Sequence, residues 1–480
     1  MRFKGRLTKG LLVALVLTLL PITAFSAQKI IPGSTCKVYK QKVTNQKKVY
    51  TCIKSGKKLV WNKGVAIKKP TPTPTPTTTV TPSPTAGVVV PNDLKDFGSV
   101  VNCKLKDLSA PTRTVSTGFP ITSDLLGKSE VRVLGLYVDF TNMKGQIEPK
   151  IDSDPIISKF NEFYDAVSYG NLKINWTIPN HYFHLTQPVD FYRFSLKSMN
   201  EKQGDWANIF KFPQDVIDAA DSEINFSQFD ALVIFTPPQA TDAEIGDVSP
   251  GDLKGEIGYK SQDGPVRNIR TYVGSWRSPS WADSRLGQDY LWRGIVHEFG
   301  HILGLPDYYM LDFVNRFDSY AGQYDIMGVP QFGQAPELFA WSRWLLEWLS
   351  DKQVICNQLK SSVIALTPIE TRNGGTKFVV IPISDHEAIG IESRRALGFD
   401  SKIGKSSEGV LIYKIDTSKP TQKGPIQIQS MRPNPQGSWA DSSNLFKDAP
   451  LKLNESITIG RIKITVISSN SDVMTIKIEQ

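Results

Sequence analysis

The spacing of apolar positions along this 480-residue chain changes several times. Residues 131–140 read Val-Arg-Val-Leu-Gly-Leu-Tyr-Val-Asp-Phe, a nearly continuous apolar run that predicts a strand buried on both faces. Over 154–167 the spacing becomes helical, with Ile156, Ile157, Phe160, Phe163, Tyr164 and Val167 on one side. Residues 172–178 then alternate as a strand, 215–224 return to helical spacing, and 231–235 form another buried strand. Over 288–303, Leu291, Ile295, Phe299 and Ile302 make one stripe, which predicts an amphipathic helix half-sunk in a core and ended by Gly304 and Pro306. Strands alternating with helices predict an α/β domain with a mixed twisted sheet over residues 130–350. Beyond residue 351 strands dominate, at 377–383, 409–415, 457–466 and 473–478, so residues 351–480 are expected to form a β-rich C-terminal domain.

The N-terminal end follows other rules. Arg2, Lys4, Arg6 and Lys9 precede an apolar run over 11–20 and the small residues Ala24, Ser26 and Ala27, the order of a secretory signal peptide over 1–27. No later stretch reaches the roughly 18 apolar residues of a membrane helix. The mature chain is therefore expected to lack a transmembrane segment and to be secreted and extracellular, with cell-surface association left open. Residues 28–69 alternate Lys with Val, Tyr, Ile and Trp61, which suits short strands in a small two-cysteine module. Residues 70–86 repeat Pro and Thr and predict an extended spacer. Residues 87–129 are less regular and read as an N-terminal or pro-segment-like region.

The formal net charge of +9 is unevenly spread. Four basic residues fall in the signal segment, and residues 28–69 hold twelve Lys and no acidic residue, so the remainder is net negative. That basic face suits an anionic cell-surface polymer; a plain solvated β-module fits the same pattern equally. Export makes disulfides available to the four cysteines. Cys36 and Cys52 lie close enough in sequence to pair, which leaves Cys103 to meet Cys356. The alternative is a Cys103 thiolate covering a metal in a latent enzyme.

The chemistry concentrates in Ile295-Val296-His297-Glu298-Phe299-Gly300-His301-Ile302-Leu303-Gly304-Leu305-Pro306-Asp307. Residues four apart on a helix share a face, so His297 and His301 can aim both imidazoles at one ion. Nitrogen ligands suit Zn²⁺, which keeps an open position for water. Glu298, next in the helix, is placed to take a proton from that water as general base. The chain break at Gly304 lets Asp307 return as third ligand; Glu337, at the start of an apolar run over 338–349, is its competitor from a separate helix. The expected activity is zinc-dependent endopeptidase hydrolysis of protein or peptide substrates. A non-haem iron oxygenase shares two histidines and a carboxylate but has no use for Glu298, and an inactive adhesin would be expected to lose it. His181, His184 and His386 lack this spacing and are expected to be structural.

The run from His297 to Asp307 resembles the zinc motif of the immune inhibitor A family of bacterial secreted metallopeptidases. Ser168-Tyr169-Gly170-Asn171-Leu172, Tyr324-Asp325-Ile326-Met327-Gly328, Ala340-Trp341-Ser342, Glu392-Ser393-Arg394 and Gly409-Val410-Leu411-Ile412-Tyr413 are similar to further parts of that family. The resemblance leaves out the basic module and the spacer. It implies a metzincin-like zincin fold with Met327 in a turn beneath the metal, and it favours Asp307 over Glu337. After the motif this chain has Tyr308-Tyr309-Met310-Leu311-Asp312 where the family usually has an acidic segment, so Ca²⁺ remains an open second cofactor.

Overall fold

A computed structural model describes residues 31–45, 48–56, 58–66, 91–109, 115–192, 206–237, 239–240, 258–272, 291–312, 316–318, 320–328, 336–432 and 446–480. The signal-like segment 1–27 and the spacer 70–86 lie outside the described residues. The chain divides into two compact units, Met1–Ala86 and Gly87–Gln480.

In the first unit, β1 (Lys42–Asn45), β3 (Lys58–Trp61) and β4 (Val65–Ala66) all pair antiparallel with β2 (Lys48–Ser55). So few apolar residues cannot build an ordinary core, and small folds of this kind need a staple. The Cys36–Cys52 disulfide supplies it, with Cys52 fully buried beside Tyr50.

The second unit is built on β5 (Glu130–Asp139), β6 (Lys173–Thr177), β7 (Phe183–His184) and β8 (Ala231–Phe235), followed by a hairpin, β9 (Tyr259–Ser261) and β10 (Gly264–Val266), and by β11 (Ile269–Tyr272). The sheet order is β11-β8-β5-β6, with β7 beside the end of β5. The alternation predicts a mixed sheet, but every described pairing in it is parallel. Crossover connections account for the difference, because strands joined through helices run in the same direction. Here α1 (Pro149–Val167) connects β5 to β6, and α2 (Trp206–Ala220) lies between β7 and β8. The next helix, α3 (Leu291–Ile302), packs on α1. Phe160 meets Phe299 edge-on at 5.1 Å, and the Tyr164 hydroxyl donates to the Val296 carbonyl at 2.6 Å.

A short hairpin, β12 (Met310–Asp312) and β13 (Arg316–Asp318), and α4 (Ala340–Leu345) lead into the strand-rich tail. There β14 (Val354–Cys356), β16 (Phe378–Pro382), β17 (Glu387–Arg394), β18 (Gly409–Asp416) and β19 (Ile426–Ile428) form one sheet. A second sheet holds β15 (Ser361–Leu366), β20 (Ser456–Ile459), β21 (Ile462–Ser469) and β22 (Met474–Glu479). Side chains of a strand point alternately to its two faces. Phe378 and Val380 of β16 therefore enter the core that contains α3 and β5, while Val379 and Ile381 enter a second core shared with β21 and β22. The first sheet of this strand-rich tail is a middle layer between two cores.

The segment before β5 is built into the same unit. Phe119 lies edge-on to Trp341 and Trp344, and Leu105, Ile121 and Leu125 are buried. The buried Cys103–Cys356 disulfide ties this segment to β14. No cysteine is free, so the thiolate latch is not the arrangement found.

Candidate metal centre

Helix α3 carries His297, Glu298 and His301, and its end decides what meets them. Gly304 adopts φ +96°, a left-handed conformation that glycine takes without strain, and its N–H donates to the His301 carbonyl at 2.9 Å. A Cβ at this position would also stand 2.8 Å from Ile121 Cγ1. The chain reverses there and returns Asp307 to the helix. Asp307 Oδ1 lies 3.1 Å from His297 Nε2 and 3.3 Å from His301 Nε2, and all three residues are buried.

The proton positions follow from the outer partners. His297 Nδ1 is 3.0 Å from the Ile326 carbonyl and His301 Nδ1 is 2.8 Å from the Leu305 carbonyl. A carbonyl can only accept, so each Nδ1 carries a proton and both Nε2 atoms face Asp307. Burial alone would raise the Asp307 carboxyl, but the charges of His301 and His297 and hydrogen bonds from them hold it well below the usual carboxylate range. A divalent cation among the same three atoms would take the place of the protons that balance the buried carboxylate, so these donors fit a metal ion.

Glu298 is also near, since one donor atom each from His297, Glu298 and His301 lies within 4.8 Å of the others. Asp307 is nevertheless the better third ligand. Its oxygen faces both Nε2 atoms, whereas the Glu298 side chain keeps 17% of its surface exposed and has Arg270 Nε 3.8 Å from Oε2. Glu337 stands elsewhere, in a buried ion pair with Arg343 at 2.5 Å.

The floor beneath the two histidines is the turn at residues 324–328. A Cβ on Gly300 would approach Met327 Sδ to 2.5 Å, so any larger residue there would force the methionine side chain to shift. The Met327 carbonyl accepts from Tyr308 N–H at 2.9 Å, which fixes the strand leaving Asp307. Asp325 holds the turn by accepting from the N–H groups of Met327 and Phe339 at 2.8 and 2.7 Å, and burial pushes its carboxyl up to about 6.

Sequence reasoning misses three residues near the centre. Arg270 of β11 donates from Nε to the Glu298 carbonyl at 3.1 Å, and Thr421 and Gln422 bond to Asp307. Each comes from a distant part of the chain, and none has a local pattern that marks it. The other histidines each meet a carboxylate: His184 with Asp139, His181 with Glu223 and His386 with Asp385. No protein-family model matches the chain, and no curated protein matches it.

Proposed function

We propose that this chain is a secreted zinc endopeptidase of the zincin class, similar to immune inhibitor A, with His297, His301 and Asp307 as ligands and Glu298 as general base. The observation that carries this reading is the convergence of two imidazole Nε2 atoms and one carboxylate oxygen beside an accessible glutamate. Ligands about 2.0–2.1 Å from a tetrahedral ion stand roughly 3.3 Å apart, close to the spacings of Asp307 Oδ1 from the two nitrogens. Zinc, when bound, would supply Lewis acidity toward a water and the scissile carbonyl. Glu298 takes the proton of that water and returns it to the leaving amine. Arg270 donates from Nε to the Glu298 carbonyl and stands 3.8 Å from Oε2, which places the glutamate. Secretion rests on the order of charge and apolar residues over 1–27.

Metal analysis and casein hydrolysis test this together. The expected result is one zinc per chain and hydrolysis that stops with a chelator and returns with Zn²⁺; chelator-insensitive hydrolysis, or a chain with no bound metal, rejects the reading. Stoichiometric iron would point to the oxygenase alternative.

For the N-terminal unit we propose attachment to an anionic cell-surface polymer, because every described lysine in it is exposed. The Debye length falls from about 30 Å at 0.01 M salt to about 8 Å at 0.15 M. Full-length protein should therefore be retained on an anionic polymer at low salt and released near physiological salt. A chain without residues 28–69 should pass through at both; equal retention of the two chains would leave the unit as a plain solvated module.

A further inference from the structure

We infer that the loop between β18 and β19 is a positioning clamp for Asp307, so that the strand-rich tail sets the metal affinity of a centre whose imidazoles lie on α3. The inference rests on the metal-binding reading above. Four hydrogen bonds join the loop to this one residue. Asp307 N–H donates to Thr421 Oγ1 at 2.9 Å, Gln422 N–H donates to the Asp307 carbonyl at 3.2 Å, and Asp307 Oδ2 accepts from Gln422 Nε2 at 3.0 Å and, at a longer 3.5 Å, from Thr421 Oγ1. The first two hold the backbone, and the last two, with the amide the nearer donor, choose between the carboxylate oxygens. With Oδ2 engaged by a neutral donor, Oδ1 is the oxygen left to face His297 and His301.

Short carboxylates rotate readily, and a ligand left without an outer partner spends less time in its binding orientation. Gln422 itself adopts φ +61°, a conformation that non-glycine residues keep where the surroundings over-determine it. The loop is anchored on both sides of that residue. Thr417 N–H donates to the His386 carbonyl at 2.9 Å, and Lys423 forms a bridge to Met310, three residues beyond Asp307.

The test is Zn²⁺ affinity, measured on the full chain by competition with a chromophoric chelator, beside the melting temperature of the metal-free protein. Gln422→Gly keeps the left-handed backbone and removes the amide. It should weaken Zn²⁺ binding about ten- to hundredfold with little change in metal-free melting. Gln422→Asn tolerates the same backbone but is one methylene too short, and should show the same fall. The absorption spectrum of bound Co²⁺ should also change in both variants, which a contact that only stabilises the fold would not produce. Wild-type affinity and an unchanged Co²⁺ spectrum in both variants would overturn the clamp while leaving the metal centre in place. A wild-type protein that binds no Zn²⁺ would overturn the centre and the clamp together.

Discussion

Glu298→Ala should keep its zinc and lose at least about a hundredfold in peptide hydrolysis, the usual contribution of a positioned general base. The two effects separate because the residue stands next to the ligands without being needed among them. His297 and His301 are oriented by the Ile326 and Leu305 carbonyls, and Asp307 is held from the other side; none of these bonds involves the Glu298 side chain. That side chain is also the most solvent-accessible of the group, with 17% of its surface exposed. Metal content and casein hydrolysis measured on the same preparation decide the matter. Near-normal turnover in a fully zinc-loaded variant would remove Glu298 from the mechanism, and loss of the zinc would make it a ligand.

Asp307 and Glu337 are both buried acids, yet their removal should fail in different ways. Asp307→Ala deletes the carboxylate oxygen that stands 3.1 and 3.3 Å from the two Nε2 atoms, so zinc binding should weaken by more than the about ten- to hundredfold typical of an outer partner. Glu337→Ala leaves Arg343 buried without its carboxylate, and breaking such a pair from one side costs about 3–5 kcal/mol of stability. Its folded fraction should bind zinc almost normally. Chelator competition and denaturant unfolding of both variants give the comparison. If Glu337→Ala lost zinc while Asp307→Ala kept it, the third ligand would come from the separate helix.

The elements around the centre are legible because local spacing determines them. The apolar stripe through Ile295, Phe299 and Ile302 and the glycine at 304 give α3 and its reversal, and both are present as expected. Legibility fails where one residue or a remote partner overrides the pattern. The spacing over 457–466 reads as one strand, but Gly460 at φ +61° opens a two-residue hairpin and divides it into β20 and β21. The apolar run over 338–349 predicts a long helix, whereas α4 spans only Ala340–Leu345. Its start is set by buried carboxylates, Asp325 on Phe339 N–H and Glu392 on Ala340 N–H, and it ends before Glu347 at φ +59°. Gln422 could not be found at all, because its meaning depends on a carboxylate 115 residues away. The unbroken apolar run of β16 does carry the mark of burial on two faces, and that mark explains why the tail joins the main core.

The Cys103–Cys356 bond joins residues 253 positions apart in sequence, and every residue proposed above for metal binding and catalysis lies between them. A protease of the kind proposed above, which would share its surroundings with other proteases and with copies of itself, would be exposed to backbone cleavage. One cut anywhere inside that ring leaves a single covalent molecule whose two pieces still meet at β14. Such a nicked form would migrate as intact protein on a non-reducing gel and separate into fragments only after reduction, so apparent integrity without reductant says nothing about how many chains the active molecule contains.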